Sequence, residues 1–301
     1  MKKFTKFLLT AGILTASAYI GYKIYKYLEE KDMEMYDDFP EDDFDDDFFV
    51  DPKNNPHKII IGQSGSGKTR NYVETFYKEH YKQNLIIVDP NGNLYKKYGK
   101  KAQDDGCSVD YYDTKAIIDA GFDLNTVLDA KTANFGEWKQ IFIEVPSEFE
   151  NNTNVFIEGV FKQLQTYKEK HPEYNKHFDF IIDDFPNISK INDFSHMITI
   201  ARKYNITFHI IAQSLTQIYD YFDDRTEYMQ TMANFSYIYV MGNMLDEKCK
   251  ELLKLFISEK RYDSIITAIE TIPANAFIRI NNLTDIGYYR AEKIDPDTIK
   301  I

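Results

Sequence analysis

The chain has 301 residues, of which 43% are hydrophobic and 15% aromatic. This composition supplies one large or two smaller cores and excludes collagen, coiled coil and wholesale disorder. The formal net charge of −12 argues against a nucleic-acid binder only until the charge is located. Residues 29–51 contain thirteen Asp or Glu and one Lys. The acidity therefore belongs to that segment, and the body that follows it is only mildly acidic.

Cysteine and histidine are too sparse for a structural metal or a disulfide framework. Cys107 and Cys249 are far apart in the chain and the six histidines are scattered. Neither pattern is typical of a zinc cluster or of a stapled secreted domain. The composition fits a reducing compartment.

Residues 1–28 predict an N-terminal membrane anchor. The run Phe7–Tyr22 is uncharged and mostly apolar, and as a helix it spans about 24 Å against a hydrocarbon core of ~30 Å. Lys6, Lys23 and Lys26 flank it and can snorkel to the lipid headgroups. A cleaved signal peptide, with Ala16-Ser17-Ala18 as its cleavage site, is the alternative.

Residues 29–55 predict an extended acidic linker. Like charges at this density repel one another and leave too little apolar surface for a core. The segment is either a spacer between the membrane and the body or a docking tail for a basic partner. Solvated spacers are the more common outcome for such charge blocks, so we favour the spacer.

The body, residues 56–301, opens with a phosphate-binding loop. The apolar strand His57–Ile61 precedes a complete G-x-x-x-x-G-K-T motif and a helical pattern follows it. Glycines let backbone N–H groups surround phosphate oxygens at the positive end of the helix. The cofactor-binding residues are predicted to be Gly62, Gln63, Ser64, Gly65, Ser66, Gly67, Lys68 and Thr69. Lys68 is expected to reach the β- and γ-phosphates of ATP, and Thr69 to ligate Mg²⁺.

Strands alternate with helices through the rest of the body. The predicted strands are Asn84–Val88, Val109–Tyr112, Lys139–Val145, Phe178–Ile182, Thr207–Ala212, Phe235–Met241 and Phe277–Ile280. The predicted helices are Leu94–Lys101, Asn154–Tyr167 and two near residues 245–256 and 260–269. This alternation indicates an α/β fold with a doubly wound, mostly parallel sheet. Trp138, before the fourth strand, is interpreted as a core residue.

Polar residues end two of these strands. Asp183 and Asp184 follow Phe178–Ile182, as the acids of a Walker B motif do, so Asp183 is expected to order Mg²⁺ and Asp184 to polarise the attacking water. Gln213 follows Thr207–Ala212 and is expected to position that water beside the γ-phosphate. The alternatives are a capped turn for the acids and a turn residue for Gln213.

The ordered set of motifs resembles the conjugative coupling ATPases of type IV secretion, the TraG/TraD family, which are related to the FtsK/HerA translocases. The resemblance runs from about residue 56 to the C-terminus. It rests on residues 85–95, similar to "DPKGELY" with its preceding strand, on 122–125, on 181–188, similar to "LLDEFPNIG", and on 201–218. Asn234 and Gly242 fall where the family has a further strand.

The resemblance implies a RecA-like P-loop ATP hydrolase that couples ATP hydrolysis to translocation of DNA or nucleoprotein. It also implies a hexameric ring with ATP sites between subunits, and a relaxase or secretion-channel components as partners. On the same resemblance Arg202 joins Lys68, Asp184 and Gln213 as a catalytic residue, although which arginine acts between subunits is left open. An ATP site requires a cytoplasmic body, so the anchor reading predicts a single-pass cell-membrane protein.

The chain also departs from the family. Asp184 stands where Glu is expected, and Asn91 and Asn93 stand where the family has Lys and Glu. The stretch between Asn125 and the strand at Lys139 is too short for the helical cargo domain. Alternatives therefore stay open, namely a related motor for filamentous-phage extrusion or protein export, or a nucleotide-dependent membrane scaffold with little turnover.

Overall fold

The computed structural model describes residues 57–90, 92–120, 138–145, 153–242, 245–257, 259–271 and 277–281. The predicted anchor, the predicted linker and the motif at 122–125 lie outside these residues. No helix within the described ranges is both long enough and apolar enough to cross a membrane.

Eight strands form one sheet, and their composition explains why. Most are rich in Ile, Val and Phe, and the strands at residues 84–89, 178–182 and 206–212 are buried along their whole length, as central parallel strands are. The strands are β1 (His57–Ile61), β2 (Asn84–Asp89), β3 (Ser108–Asp113), β4 (Lys139–Glu144), β5 (Phe178–Ile182), β6 (Ile206–Ala212), β7 (Phe235–Met241) and β8 (Phe277–Asn281).

The strand order in the sheet is β3-β4-β2-β5-β6-β1-β7-β8. All neighbouring pairs are parallel except β7 with β8, which is antiparallel. The prediction of a mostly parallel α/β sheet is therefore confirmed. Because β6 lies between β5 and β1, the chain segments that follow these three strands meet at one edge of the sheet.

Helices cover both faces of the sheet. Helix α1 has a π-helical part, Lys68–Glu74, and an α-helical part, Thr75–Glu79, and α2 likewise has Tyr95–Gly99 and Lys100–Asp104. The others are α3 (Thr114–Asp119), α4 (Thr153–Lys170), α5 (Phe194–Ala201), α6 (Leu215–Tyr221), α7 (Arg225–Met232), α8 (Glu247–Leu253) and α9 (Glu259–Thr271). Single 3₁₀ turns occur at Phe185–Asn187 and Arg202–Tyr204.

Two hydrophobic clusters lie on opposite faces of the sheet. Ile59 and Ile61 of β1 pack in the larger cluster with Phe156 of α4. Ile60, between them, packs in the smaller cluster with Val73 and Tyr77 of α1. This alternation is the strand period of two, and it shows that the sheet is doubly wound.

The prediction that Trp138 is a core residue is wrong. Its side chain is 40% exposed, and its backbone has a φ of 54° immediately before β4 begins. That left-handed turn directs the residue away from the strand's alternating pattern. The ammonium group of Lys82 lies 5.7 Å from the indole centroid.

Candidate nucleotide-binding site

The glycine loop connects β1 to α1 at the carboxyl-terminal edge of the sheet. A Cβ on Gly62 would overlap the Met241 carbonyl at the end of β7 and the Ser66 hydroxyl, so only glycine fits there. Gly65 and Gly67 have φ of 80° and 86°, which glycine adopts without strain. The first backbone N–H groups of α1 follow Gly67 and have no acceptor within the helix.

Lys68 lies over this loop. Its Nζ donates hydrogen bonds to the carbonyls of Gly62 and Gln63, the latter at 3.1 Å. Burial lowers the pKa of its ammonium group, and the carboxylates of Asp184 and Asp183 act in the opposite direction. The cation is therefore placed between the loop and the two acids.

Thr69 joins the loop to the end of β5. Its Oγ1 donates a hydrogen bond of 2.8 Å to Asp183 Oδ2. Asp183 is itself fixed, because its backbone N–H donates to the Val88 carbonyl at 3.2 Å and its Oδ1 accepts from the Asp184 N–H at 3.1 Å. The two predicted Mg²⁺ ligands are thus brought together.

The two adjacent acids have different environments. Burial, with Asp184 and Asp89 nearby, raises the pKa of Asp183 to about 6 despite the Thr69 hydrogen bond. Asp184 is half-buried and adopts a φ of 51°, a left-handed conformation that Asp tolerates better than most residues. This backbone turn separates the two carboxylates immediately after β5.

Asp89, which was not assigned to the site from the sequence, lies beside Asp183 at the end of β2. It is buried, and its Oδ2 accepts a hydrogen bond of 2.6 Å from the Leu94 N–H. The Asp89-Pro90 pair after an apolar strand was the available signal. The contact shows that this carboxylate fixes the turn into α2 while adding negative charge near Asp183.

Gln213 lies where β6 ends, between the strands that lead to Asp183 and to the loop. Its backbone N–H donates to Gln217 Oε1 at 3.2 Å, and the N–H of Gly62 donates to the preceding residue's carbonyl, that of Ala212, at 3.3 Å. Ser214 caps α6 by accepting from the Gln217 N–H. Gln213 therefore occupies both a turn and the site edge, and its water-positioning role stays a prediction.

Arg202 is not brought to the loop within this chain. It starts the 3₁₀ turn that precedes β6, at the amino-terminal edge of the parallel sheet, and its charge acts on His57 at the start of β1. Its assignment to catalysis stays a prediction that needs a neighbouring subunit.

The arrangement fits a nucleotide with Mg²⁺. The loop has a glycine whose Cβ would fill the turn, and Ser66 Oγ is buried without a hydrogen-bond partner in the described part of the chain. Thr69 and Asp183 offer the hydroxyl and carboxylate oxygens that Mg²⁺ shares with phosphates. Lys68 and the loop N–H groups would hold the phosphates themselves.

Comparison with protein families gives a match to the model "Type IV secretory system Conjugative DNA transfer" over residues 140–256. This range includes Asp183, Asp184 and Gln213 but not the glycine loop. Comparison with curated proteins gives no match.

Comparison with solved structures gives matches to the bacterial conjugative coupling protein TrwB. The trigonal TrwBdeltaN70 structure with sulphate is 13% identical, with a TM-score of 0.57 and coverage of 81% of this chain and 87% of that chain. TrwB with ADP and Mg²⁺ is 14% identical, with a TM-score of 0.55 and coverage of 81% and 89%. TrwB with the ATP analogue ADPNP is 14% identical, with a TM-score of 0.56 and coverage of 81% and 87%.

At these identities the structural matches show a shared fold. The family model adds a sequence match across the segment that contains the two acids. Together they confirm that this chain resembles the conjugative coupling ATPases of type IV secretion.

Proposed function

We propose that this chain is a membrane-anchored ATPase of conjugative DNA transfer that couples ATP hydrolysis to the translocation of DNA or nucleoprotein. The observation that carries the proposal is the 2.8 Å hydrogen bond between Thr69 and Asp183. It supports the proposal because a P-loop ATPase uses a hydroxyl and a carboxylate of this kind around Mg²⁺. The family match over residues 140–256 supports conjugation as the process.

Each site residue then has a distinct task. Mg²⁺ supplies charge neutralisation at the phosphates when it is bound. The loop N–H groups and Lys68 would bind and orient the phosphate oxygens, while Thr69 and Asp183 would hold the ion. Asp184 accepts a hydrogen bond from the attacking water, and Gln213 orients that water.

The proposal includes a hexameric ring in which an arginine of the neighbouring subunit completes each site. Arg202 is the candidate, since it is exposed in the turn before β6, at the edge of the sheet opposite to the loop of its own chain. Relaxase or secretion-channel components are the proposed partners.

The proposed anchor is residues 1–28, with a cytoplasmic body. Full-length protein is expected to fractionate with membranes, to resist carbonate extraction and to retain residues 1–18 by mass. Recovery of a soluble chain that begins at Tyr19 outside the cytoplasm would contradict both the anchor and the motor.

A second candidate is a nucleotide-dependent membrane scaffold with little turnover. The observation that favours it is Asp184, which is one methylene shorter than the Glu of the family and therefore reaches less far toward a water. Such a scaffold would bind nucleotide at the same loop but hydrolyse it poorly.

The test is ATP hydrolysis by the full-length chain with and without DNA. We expect Mg²⁺-dependent hydrolysis that DNA stimulates, and a loss of roughly 10²–10³-fold in Lys68→Ala, because no neighbouring group replaces the lost charge. The matched control is Lys100→Ala on α2, which removes an exposed lysine outside the site.

Three results would overturn parts of the proposal. Parent-like hydrolysis by Lys68→Ala would show that the loop is not the ATP site. An ATP hydrolysis rate that is the same with and without DNA would favour another cargo. Nucleotide binding without turnover would favour the scaffold.

A further inference from the structure

Behind the nucleotide site, the partly buried Tyr72 and the buried His209 and Asp179 form a continuous hydrogen-bonded chain. The Tyr72 hydroxyl lies 2.9 Å from His209 Nδ1, and His209 Nε2 lies 2.9 Å from Asp179 Oδ1. His209 is fully buried and Asp179 is 4% exposed. Burial of polar side chains costs free energy, so the presence of this hydrogen-bonded group in an otherwise apolar sheet calls for an explanation.

The chemistry of the partners fixes the direction of these hydrogen bonds. Burial alone would raise the pKa of Asp179, but hydrogen bonds from His177 and His209 hold it well below its usual range, so the group is a carboxylate. Burial lowers the pKa of His209 to about 4, so its ring is neutral at pH 7. A carboxylate only accepts, so Nε2–H donates to Asp179 and Nδ1 accepts from the Tyr72 hydroxyl.

The three residues come from the three elements that carry the nucleotide site. Tyr72 lies four residues after Lys68 on α1, His209 four residues before Gln213 on β6, and Asp179 four residues before Asp183 on β5. Each member is therefore about one helical turn, or about 13 Å of extended chain, from a site residue that lies on its own element or directly after it. These hydrogen bonds link α1 to β6 and β6 to β5, and they constrain the position of α1 along the direction of the two strands.

Packing around the chain leaves it little freedom. The Phe76 ring meets the His209 ring edge-on at 4.6 Å between centroids, and the Tyr239 ring lies 5.3 Å from that of Tyr72. His177, whose side chain is 40% exposed, lies 3.3 Å from Asp179 Oδ1 and closes the network at the amino-terminal edge.

We propose that Tyr72, His209 and Asp179 form a positioning relay. The relay fixes the position of α1 along the sheet, so that Thr69 lies within hydrogen-bond distance of Asp183. The inference rests on the proposed function, because its consequence is the geometry of the Mg²⁺ site. Each of the three residues lies three or four positions from the nearest predicted site residue on its own stretch of chain, so the relay is proposed to position the site and not to bind the nucleotide. Their effect acts through Thr69, which lies on the first turn of α1, and Asp183, which follows β5.

The chain offers a matched control on the same helix. Tyr77 is fully buried, and its hydroxyl donates a hydrogen bond of 2.9 Å to Gln140 Oε1 on β4. Tyr72→Phe and Tyr77→Phe each remove one hydroxyl and one hydrogen bond of equal length, from a partly buried side chain at Tyr72 and from a fully buried one at Tyr77. Only Tyr72→Phe removes the hydrogen bond that joins α1 to His209 on β6.

The test measures ADP affinity of the full-length chain with Mg²⁺ and in EDTA. We expect Tyr72→Phe and His209→Gln each to reduce the Mg²⁺-dependent gain in affinity about tenfold, with ADP affinity in EDTA unchanged. The double variant should lose no more than either single variant, because both break one relay. Tyr77→Phe should leave both affinities at the parent values.

The outcomes separate the relay from the function on which it rests. A parent chain without Mg²⁺-dependent ADP binding overturns the proposed function and the relay with it. If the parent binds but Tyr72→Phe behaves as Tyr77→Phe does, the relay alone is overturned. Equal losses in Mg²⁺ and in EDTA also overturn it, since they indicate general loosening of the loop.

Discussion

Asp183 and Asp184 are neighbours in the sequence, yet the fold gives them different chemistry. Asp183 is buried against the end of β2 with a pKa raised to about 6, and a hydrogen bond ties it to Thr69. Asp184 turns out of the strand with a φ of 51° and stays half-buried. The proposed tasks, which are cation binding for Asp183 and contact with water for Asp184, suit a buried carboxylate and a more accessible one, and one backbone turn separates the two.

Separate replacement of the two acids should therefore give different defects. We expect Asp183→Asn to weaken Mg²⁺-dependent nucleotide binding by about tenfold or more, because it removes the charged ligand. Asp184→Asn should keep that binding and lower ATP turnover by roughly 10²-fold or more. Nucleotide titrations with and without Mg²⁺, followed by turnover measurements, distinguish the two.

The control for the backbone is Asp193→Asn, because Asp193 has the same φ of 51° outside the site. Asn is well suited to the left-handed region, so neither Asp184→Asn nor Asp193→Asn should disturb the backbone turn at its position. Equal and mild effects of Asp183→Asn and Asp184→Asn would mean that β5 merely ends in a capped turn.

Candidate site residues can be located from the sequence where they form a motif of consecutive positions. The eight-residue loop from Gly62 to Thr69 needs only local backbone geometry, so its pattern identifies it. Asp183 needs one long-range contact, and an apolar strand before it was enough of a signal. Tyr72 and His209 give no such signal, because they are far apart in the sequence. They become hydrogen-bond partners only when α1 packs on the face of the sheet.

At the scale of elements, the strands were predictable, whereas several short helices were not. Strands such as β2 are buried on both faces and contain a continuous apolar run, in this case Leu85–Val88. The helices α5, α6 and α7 have only seven or eight residues, which is two turns and too short for a clear period of 3.6. Their N-caps, Ser214 and Asp224 among them, become visible only with the structure.

The junction of β1 with β7 gives a prediction at this scale. Gly62→Ala places a Cβ against the Met241 carbonyl and the Ser66 hydroxyl, so the loop must shift relative to β7. We expect a loss of about 1–3 kcal/mol in the free energy of unfolding, together with loss of nucleotide binding. Chemical denaturation and nucleotide titration of the same preparation measure both.

Gly106→Ala is the matched control. Gly106 has a φ of 91° and open space around its Cβ position, so alanine there costs only backbone strain, about 1–2 kcal/mol. It should lose stability and keep nucleotide binding. Unchanged binding in Gly62→Ala would show that the contact with β7 does not shape the loop.

At the scale of the whole molecule, the sheet contains buried neutral histidines. His57 donates from Nε2 to the Ile198 carbonyl at 3.1 Å and accepts at Nδ1 from the Phe208 N–H at 2.9 Å. It thereby links β1, β6 and α5. Burial lowers the pKa of its imidazole to about 3, so the folded protein resists its protonation.

His57 should therefore make the stability of the fold depend on pH. Below a pH of about 6.5, the unfolded-state pKa of histidine, the unfolded chain binds a proton that the folded chain does not. The free energy of unfolding therefore decreases as the pH is lowered. The contribution is about 1.4 kcal/mol per pH unit, or about 2 kcal/mol lost by pH 5. Asp183 opposes this trend, because its raised pKa makes the folded state the better proton binder between about pH 4 and 6.

A comparison of variants isolates the histidine from these opposing groups. His57→Gln should be less stable than the parent at pH 7, because it loses two buried hydrogen bonds, costing about 1–3 kcal/mol for each unpaired group. Since glutamine does not titrate, the stability difference should shrink by about 2 kcal/mol between pH 7 and pH 5. His196→Gln, which replaces an exposed histidine, should show no such change. A difference between His57→Gln and the parent that stays constant with pH would show that His57 is protonated in the folded state.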